Sequence, residues 1–167
     1  MKKIVFDIQG IGKLIKDHLL SVPFYQRPFE WKKTHIEELF HDIHNSISNS
    51  DNEYFLGTVV LSEKNGSKEL NIVDGQQRVT SIVIFLSAIR DLFYERKENK
   101  KGDKFQEKFI SDLNTRSDEN VAKLKLGQAD RMFFQEYIVD KKTDRKPLKE
   151  SHSRIITAKN IAKDQIK

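Results

Sequence analysis

The sequence predicts an α+β fold with a small mixed sheet and a central buried helix. Asn65-Gly66, the strongest short turn signal, separates two strand-like runs, Tyr54–Glu63 and Glu69–Val73. A long apolar helix pattern, Val79–Phe93, follows the second run directly. A second helix pattern, which lies before the hairpin in the sequence, has apolar residues on one side only. A hairpin and helices in this arrangement predict an α+β domain.

The first third of the chain alternates between short strands and helices. Ile4–Ile8 alternates like a strand, Gly10–Asp17 has the spacing of a first helix, and His18–Val22 reads as a second strand. Thr34-His35-Ile36-Glu37 has the form of a capping box, which predicts a helix beginning near Thr34. That helix continues through an apolar stripe and ends among the polar residues of 45–52.

The hairpin pattern also predicts a strand register. If Asn65-Gly66 forms a two-residue turn, Lys64 pairs with Ser67, and Leu61, Val59 and Gly57 face residues 70, 72 and 74. Gly57 would then lie beside the polar sequence Asp74–Arg78. Glycine within a strand often marks close approach of backbone or ligand.

The helix after the hairpin, about Gly75–Lys97, lacks a continuous polar face in its first half. We therefore expect it to be the most buried helix of the protein.

The sequence predicts a core over residues 1–97, followed by a mainly helical extension over residues 98–167. Glu95–Lys104 is polar, contains a glycine and reads as a mobile connection. Helices are predicted over Phe105–Leu113, Gln128–Val139 and Ser151–Ile166, with a short strand at Ala122–Leu126. Because the last pattern still runs at the final residue, we expect the sequence to be cut from a longer protein.

Composition restricts the chemistry. The 167 residues include no cysteine, which excludes disulfides and thiolate catalysis, and no apolar run is long enough for a membrane span. We expect a cytoplasmic protein.

The net charge of +5 comes mostly from the end of the sequence. Nine basic and three acidic residues lie between Lys141 and Lys167, so the rest of the chain is nearly neutral. Such a basic segment could touch nucleic acid, but it is more often a solvated helix face.

The sequence Asp74-Gly75-Gln76-Gln77-Arg78 lies where a predicted strand becomes a helix. Unpaired N–H groups at a helix start attract anions, Gly75 permits close approach, and the Arg78 guanidinium matches a phosphate. This pattern predicts a phosphate or nucleotide site. The alternative is that Asp74 only caps the helix.

A second polar cluster lies upstream, in Pro23-Phe24-Tyr25-Gln26-Arg27-Pro28-Phe29-Glu30-Trp31. The prolines exclude a helix through it and predict an ordered loop. Its aromatic rings could stack on a base, or they could fill the core while Arg27 pairs with a carboxylate. We expect the aromatic side chains to be mostly core and Gln26-Arg27 to face a site.

Together these segments resemble a known family. Val22–Trp31, Tyr54–Gly57 and Ile72–Thr80 occur in the order seen in the N-terminal domain of GmrSD-type, modification-dependent restriction proteins, which are bacterial anti-phage systems. The resemblance covers about residues 5–165.

The resemblance implies a fold like ParB and sulfiredoxin nucleotide-binding domains, in which a Gly-x-x-Arg turn opening a helix holds nucleotide phosphates. Gly75 to Arg78 match that turn here. Sulfiredoxins carry their reactive cysteine where this chain has Gln76, so their redox chemistry is excluded. The family's domain is thought to bind and hydrolyse nucleoside triphosphates (NTPs), whereas DNA cleavage is assigned to a C-terminal HNH-type nuclease domain. No such motif occurs in these residues.

The leading hypothesis is therefore a nucleotide-binding, NTP-hydrolysing regulatory domain that uses Mg²⁺ or another divalent cation. Its catalytic candidates are Asp74, Gln76, Gln77 and Arg78. Asp74 would hold the metal or fix the turn, Gln76 or Gln77 would orient the attacking water, and Arg78 would hold phosphate. Its nucleotide-binding candidates are Tyr25, Gln26, Arg27, Trp31, Gly57, Thr58, Gly75, Arg78 and Thr80. The alternatives are a non-catalytic module that recognises modified DNA with the same pocket, and a purely structural docking domain.

Overall fold

The computed structural model describes residues 5–49, 53–63, 69–114 and 119–166, and its fold is α+β as predicted. The strands are β1 Leu19–Ser21, β2 Val60–Glu63, β3 Glu69–Asp74, β4 Ser111–Asn114, β5 Glu119–Ala122 and β6 Leu124–Lys125. The helices are α1 Ile11–Asp17, α2 Lys33–Ser48, α3 Gln76–Glu95, α4 Asn99–Phe109, α5 Arg131–Phe134, which continues as a π-helix over Gln135–Val139, and α6 Glu150–Gln165.

A four-stranded mixed sheet has the order β2-β3-β1-β6, and β4 pairs with β5 in a separate ladder. β1 lies parallel to both β3 and β6, while β2 is antiparallel to β3. One glycine separates the last residue of β3 from α3, so Asp74–Arg78 lie at the C-terminal end of an inner strand of the sheet.

The hairpin forms, but its register differs from the prediction by two residues. Leu61 pairs with Ile72 rather than Leu70, and a bulge between Val60 and Leu61 puts Val60 opposite Asp74. The predicted pairing of Gly57 with Asp74 is therefore wrong. The turn residues Asn65-Gly66 lie outside the described residues. Glu63 pairs with Leu70, whereas the predicted turn would have paired it with Lys68.

Four other expectations are corrected. Residues 5–8 form no strand and their apolar side chains are exposed, so alternation there is not a sign of burial. Residues 54–59 precede β2 without regular structure. The predicted connection Glu95–Lys104 is mostly helical, because Gly102 lets α4 pack onto the Tyr94 ring, only 2.8 Å from where a Cβ atom would lie. The helix predicted at Phe105–Leu113 ends at Phe109, and β4 follows.

The prediction that α3 is the most buried helix is confirmed. Eleven of its 20 residues are buried, and no side chain from Gln76 to Tyr94 is exposed.

The helix α2 begins one residue before Thr34. The Lys32 N–H donates to His35 Nδ1 at 3.1 Å at its N-terminus, in place of the predicted capping box between Thr34 and Glu37.

Residues beyond 98 contribute to the same sheet and core as the first half. β6 completes the sheet beside β1, and α6 packs against α3. The segment predicted as a helical extension is mostly helical, but it also supplies strands β4, β5 and β6.

A buried ionic cluster joins α3 to α6 and to the π-helix. Arg90 is fully buried and donates to Asp91 Oδ1 at 2.7 and 2.9 Å, and to the Ile138 carbonyl at 2.9 Å. Lys159 Nζ lies 2.7 Å from Asp91 Oδ2 and 3.0 Å from Ser87 Oγ. Two cations thus share one carboxylate. Burial raises the pKa of Asp91, but the charges of Lys159 and Arg90 outweigh it and hold that pKa below its usual 3.8.

Lys159 should make the protein's stability depend on pH. Burial lowers the pKa of Lys159 from 10.5 to about 8 against the attraction of Asp91. Between these values the unfolded chain binds the proton and the folded chain releases it, so the free energy of unfolding rises with pH across this window. Urea unfolding of wild type and Lys159→Met between pH 8 and 10 tests this. Parallel pH curves for the two proteins would contradict it.

Within the described part of the chain, no helix combines the length and apolarity needed to cross a bilayer.

Candidate functional site

Gln77, the second residue of α3, holds the loop that runs from Pro23 to Trp31. Its Oε1 accepts the N–H groups of Glu30 at 2.8 Å and Trp31 at 3.3 Å. Its Nε2 donates to the Pro28 carbonyl at 2.9 Å. The side chain is buried, so losing these bonds would leave its amide unpaired. These contacts give Gln77 a positioning role: it fixes the loop against the start of α3.

Gln76 and Gln26 form a second connection between the same elements. Gln26 Nε2 donates to the Val73 carbonyl at 2.8 Å, and its Oε1 accepts Gln76 Nε2 at 3.2 Å. Gln76 Nε2 also lies 3.4 Å from the Arg27 carbonyl. The two polar clusters of the sequence therefore meet through their glutamines, although about fifty residues separate them.

Arg78 extends from the same helix start toward the segment that precedes β2. Its Nη1 donates to the Thr58 carbonyl at 3.2 Å. Gly57 has φ +92°, and a Cβ atom there would lie 2.9 Å from the same Nη1. Only glycine allows the guanidinium to lie this close to the backbone. The predicted strand register was wrong, but Gly57 does lie beside the sequence Asp74–Arg78, because it contacts Arg78.

Gly57→Ala should displace the Arg78 guanidinium and strain the backbone. We expect a loss of about 1–2 kcal/mol in unfolding free energy, together with weaker ligand binding, because the left-handed conformation disfavours a side chain. Urea unfolding measures the first effect. Gly10→Ala is the matched control, since its Cβ would have no neighbour within 4 Å. Equal stability of wild type and Gly57→Ala would refute the close contact.

The N-terminus of α3 carries no side-chain cap from any described residue. Its N-cap is Gly75, with φ +87°, and a Cβ atom there would be 3.2 Å from the Thr58 carbonyl. Asp74 is the exposed last residue of β3 and does not cap the helix, so the cap-only alternative is not observed. Backbone N–H groups at such a helix start favour an anionic ligand.

Arg27 lies on the outer side of the loop and pairs with Glu30 at 3.1 Å. Both side chains are largely exposed, so this ion pair contributes little and can exchange for a ligand contact. Arg27 also lines a small cavity with Gln76, Gln77 and the buried Thr80. Arg78 does not line this cavity and contacts Gly57 and Thr58 instead, so Arg27 reaches the helix start from the loop flank and Arg78 lies on the Gly57 flank.

The aromatic side chains of the loop divide into two pairs. Phe29 is buried and Trp31 packs partly buried against the core, as expected. Phe24 is 86% exposed and Tyr25 64% exposed, which corrects the expectation that the aromatic residues are mostly core. The loop turns at Phe24-Tyr25, and this turn directs both rings away from the protein.

Sequence reasoning missed the residues that hold the loop from its other side. The buried Asp130 accepts the Phe29 N–H at 2.8 Å through Oδ2 and the Ser151 hydroxyl at 2.6 Å through Oδ1. Arg154 Nη1 donates to the Glu30 carbonyl at 3.0 Å. One buried aspartate among 25 acidic residues gives no sequence signal, because its importance lies in partners more than twenty residues away.

A family model described as the GmrSD restriction endonuclease N-terminal domain matches residues 11–166 of the chain. A search of curated proteins found no match.

Proposed function

Since the chain belongs to the family of GmrSD restriction endonuclease N-terminal domains, we propose that it is a nucleotide-binding regulatory domain. It is part of a restriction endonuclease system. In the proposal, an NTP binds at the start of α3, and the domain works in the cytoplasm as part of a bacterial anti-phage defence. A likeness to ParB and sulfiredoxin domains remains a prediction.

The observation that carries the proposal is the uncapped start of α3 beside the Arg78 guanidinium. Three features favour phosphate there: backbone N–H groups, a glycine at the helix start, and a fork of charged donors. Arg27 would contact the ligand from the loop flank after leaving Glu30. Gly57, Thr58 and Gly75 would allow the close approach, while Tyr25, Trp31 and Thr80 would border the ligand.

The contacts refine the roles of the two glutamines. Because three backbone groups occupy the Gln77 amide, we propose that Gln77 positions the loop. Gln76 lines the small cavity with Arg27 and remains the candidate for orienting an attacking water.

A divalent cation fits this site through Asp74. Its exposed carboxylate is a hard oxygen ligand next to the proposed phosphates, and Mg²⁺ commonly takes one or two carboxylates plus phosphate oxygens and water. The described residues include no group of three or more metal-binding side chains, so the metal would depend on the nucleotide for ligands. When bound, it would neutralise phosphate charge.

Titrating the four NTPs with and without magnesium tests the proposal. Trp31, the one tryptophan of the sequence, lies in the loop and provides the fluorescence signal. We expect saturable binding that magnesium strengthens. Because hydrolysis requires water and phosphate in near-attack geometry, we expect slow turnover or none from this domain by itself. Failure of every NTP to bind would refute the proposal.

DNA cleavage is proposed to belong to an HNH-type nuclease domain acting with this one. Purified protein incubated with modified phage DNA, magnesium and NTP should leave the DNA intact. Robust cleavage that disappears in Arg78→Ala would contradict this division of labour.

Recognition of modified DNA through the same site is the second candidate. The basic segment from Lys141 gives it little support, since seven of its nine basic side chains contact partners within the chain. These seven are Lys141, Lys142, Arg145, Lys149, Arg154, Lys159 and Lys163. Competition distinguishes the candidates, because nucleotide displaces DNA only if both occupy one pocket.

A further inference from the structure

An open cleft lies beside the Pro23–Trp31 loop. Its volume is about 530 Å³, within the range of small-molecule sites. Its lining includes Phe24, Gln26, Pro28, Gly127, Gln128 and Lys149. Gln26 lines the cleft and also contacts the start of α3, since its amide bonds the Gln76 side chain and the Val73 carbonyl. Asp130 lines both this cleft and the small cavity beside Gln76.

An exposed aromatic ring stands at the mouth of the cleft. Phe24 contacts Tyr25 edge to face, with ring centroids 5.6 Å apart, and neither ring belongs to the core. A phenylalanine this exposed gains nothing from burial in the folded chain, so it has an open face for a planar ligand. Phe29, five residues further along the same loop, is by contrast buried in the core.

The cleft is held open by the contacts that fix the loop. Asp130 bonds the Phe29 N–H, and Gln77 bonds the N–H groups of Glu30 and Trp31. At the rim, the Lys149 ammonium donates to the Ala129 carbonyl at 3.2 Å. A ligand therefore meets a formed surface and does not have to order the loop, which lowers the entropic cost of binding.

We propose that this cleft binds the base of the nucleotide whose phosphates lie at the start of α3. The inference rests on the proposed function and assigns the second half of that ligand. The base stacks on Phe24, while Gln128 and Lys149 supply polar groups for its edge. Gln26 lies between base and phosphates and links the two parts of the site.

Comparing NTPs with inorganic tripolyphosphate tests this assignment, because tripolyphosphate has no base. Wild-type protein should bind an NTP more tightly than tripolyphosphate. In Phe24→Ala, NTP affinity should fall about ten-fold, as expected for losing one stacked base, while tripolyphosphate affinity stays unchanged. Gln128→Ala should lower NTP affinity alone as well. Phe6→Ala is the control, since Phe6 is equally exposed and does not line the cleft.

The possible outcomes are distinct. Unchanged NTP affinity in both Phe24→Ala and Gln128→Ala, or equal wild-type affinity for NTP and tripolyphosphate, would overturn the base site and leave the phosphate site intact. Failure of wild type to bind either ligand would refute the proposed function, and the base site with it. Parallel loss of NTP and tripolyphosphate binding in Phe24→Ala would also overturn the assignment, because the ring would then serve the phosphates.

Discussion

Replacing Arg78 by alanine is expected to weaken nucleotide binding by about 1.5–3 kcal/mol, roughly 10- to 150-fold in Kd. The guanidinium lies at the uncapped start of α3, where phosphate charge is proposed to lie. Within the protein it donates one described hydrogen bond, to the Thr58 carbonyl, so folding should survive its loss. Calorimetry measures the affinity, and circular dichroism checks the fold.

Arg145→Ala is a matched control for this experiment. It also removes an arginine, but one whose partner is Glu136 and which does not contact the site. Its nucleotide affinity should equal that of wild type. If folded Arg78→Ala binds nucleotide with unchanged affinity, the phosphate site must lie elsewhere on the domain.

Asp91→Ala is expected to lower the free energy of unfolding by about 3–5 kcal/mol, because it leaves two buried cations without their shared carboxylate. Arg90 is fully buried and Lys159 is 3% exposed, so water cannot replace the lost charge. Urea unfolding at neutral pH measures the effect. Adding Lys159→Met to Asp91→Ala should recover part of the stability, because one uncompensated cation is removed.

Glu95→Ala provides the comparison for the loss of a carboxylate. Glu95 is 55% exposed and pairs with Lys163 at 3.3 Å, so this change should cost less than about 1 kcal/mol. A loss below 1 kcal/mol in Asp91→Ala as well would contradict the dependence of Arg90 and Lys159 on their shared carboxylate.

The spacing of apolar residues along the sequence was sufficient to predict the helices and strands that bury an apolar face. α3, α6 and β1 were predicted within two residues because each carries an apolar face that has to be covered. The two polar clusters were also evident from sequence, since prolines exclude a helix in one and a glycine marks the strand-to-helix junction in the other. The expectation that Gly57 lies beside Asp74–Arg78 was correct, since Gly57 contacts Arg78, although the strand register behind it was not.

Tertiary structure decided how those clusters are connected. The partners of Gln77 lie about fifty residues away, and those of Asp130 on the loop lie 101 residues away, so no local pattern contains them. Packing against Tyr94 made α4 helical where composition predicted a connection. The loop's turn left Phe24 and Tyr25 outside while burying Phe29. In each case the sequence determined which groups are available, and contacts between distant segments determined which of them are paired or buried within the protein and which remain exposed.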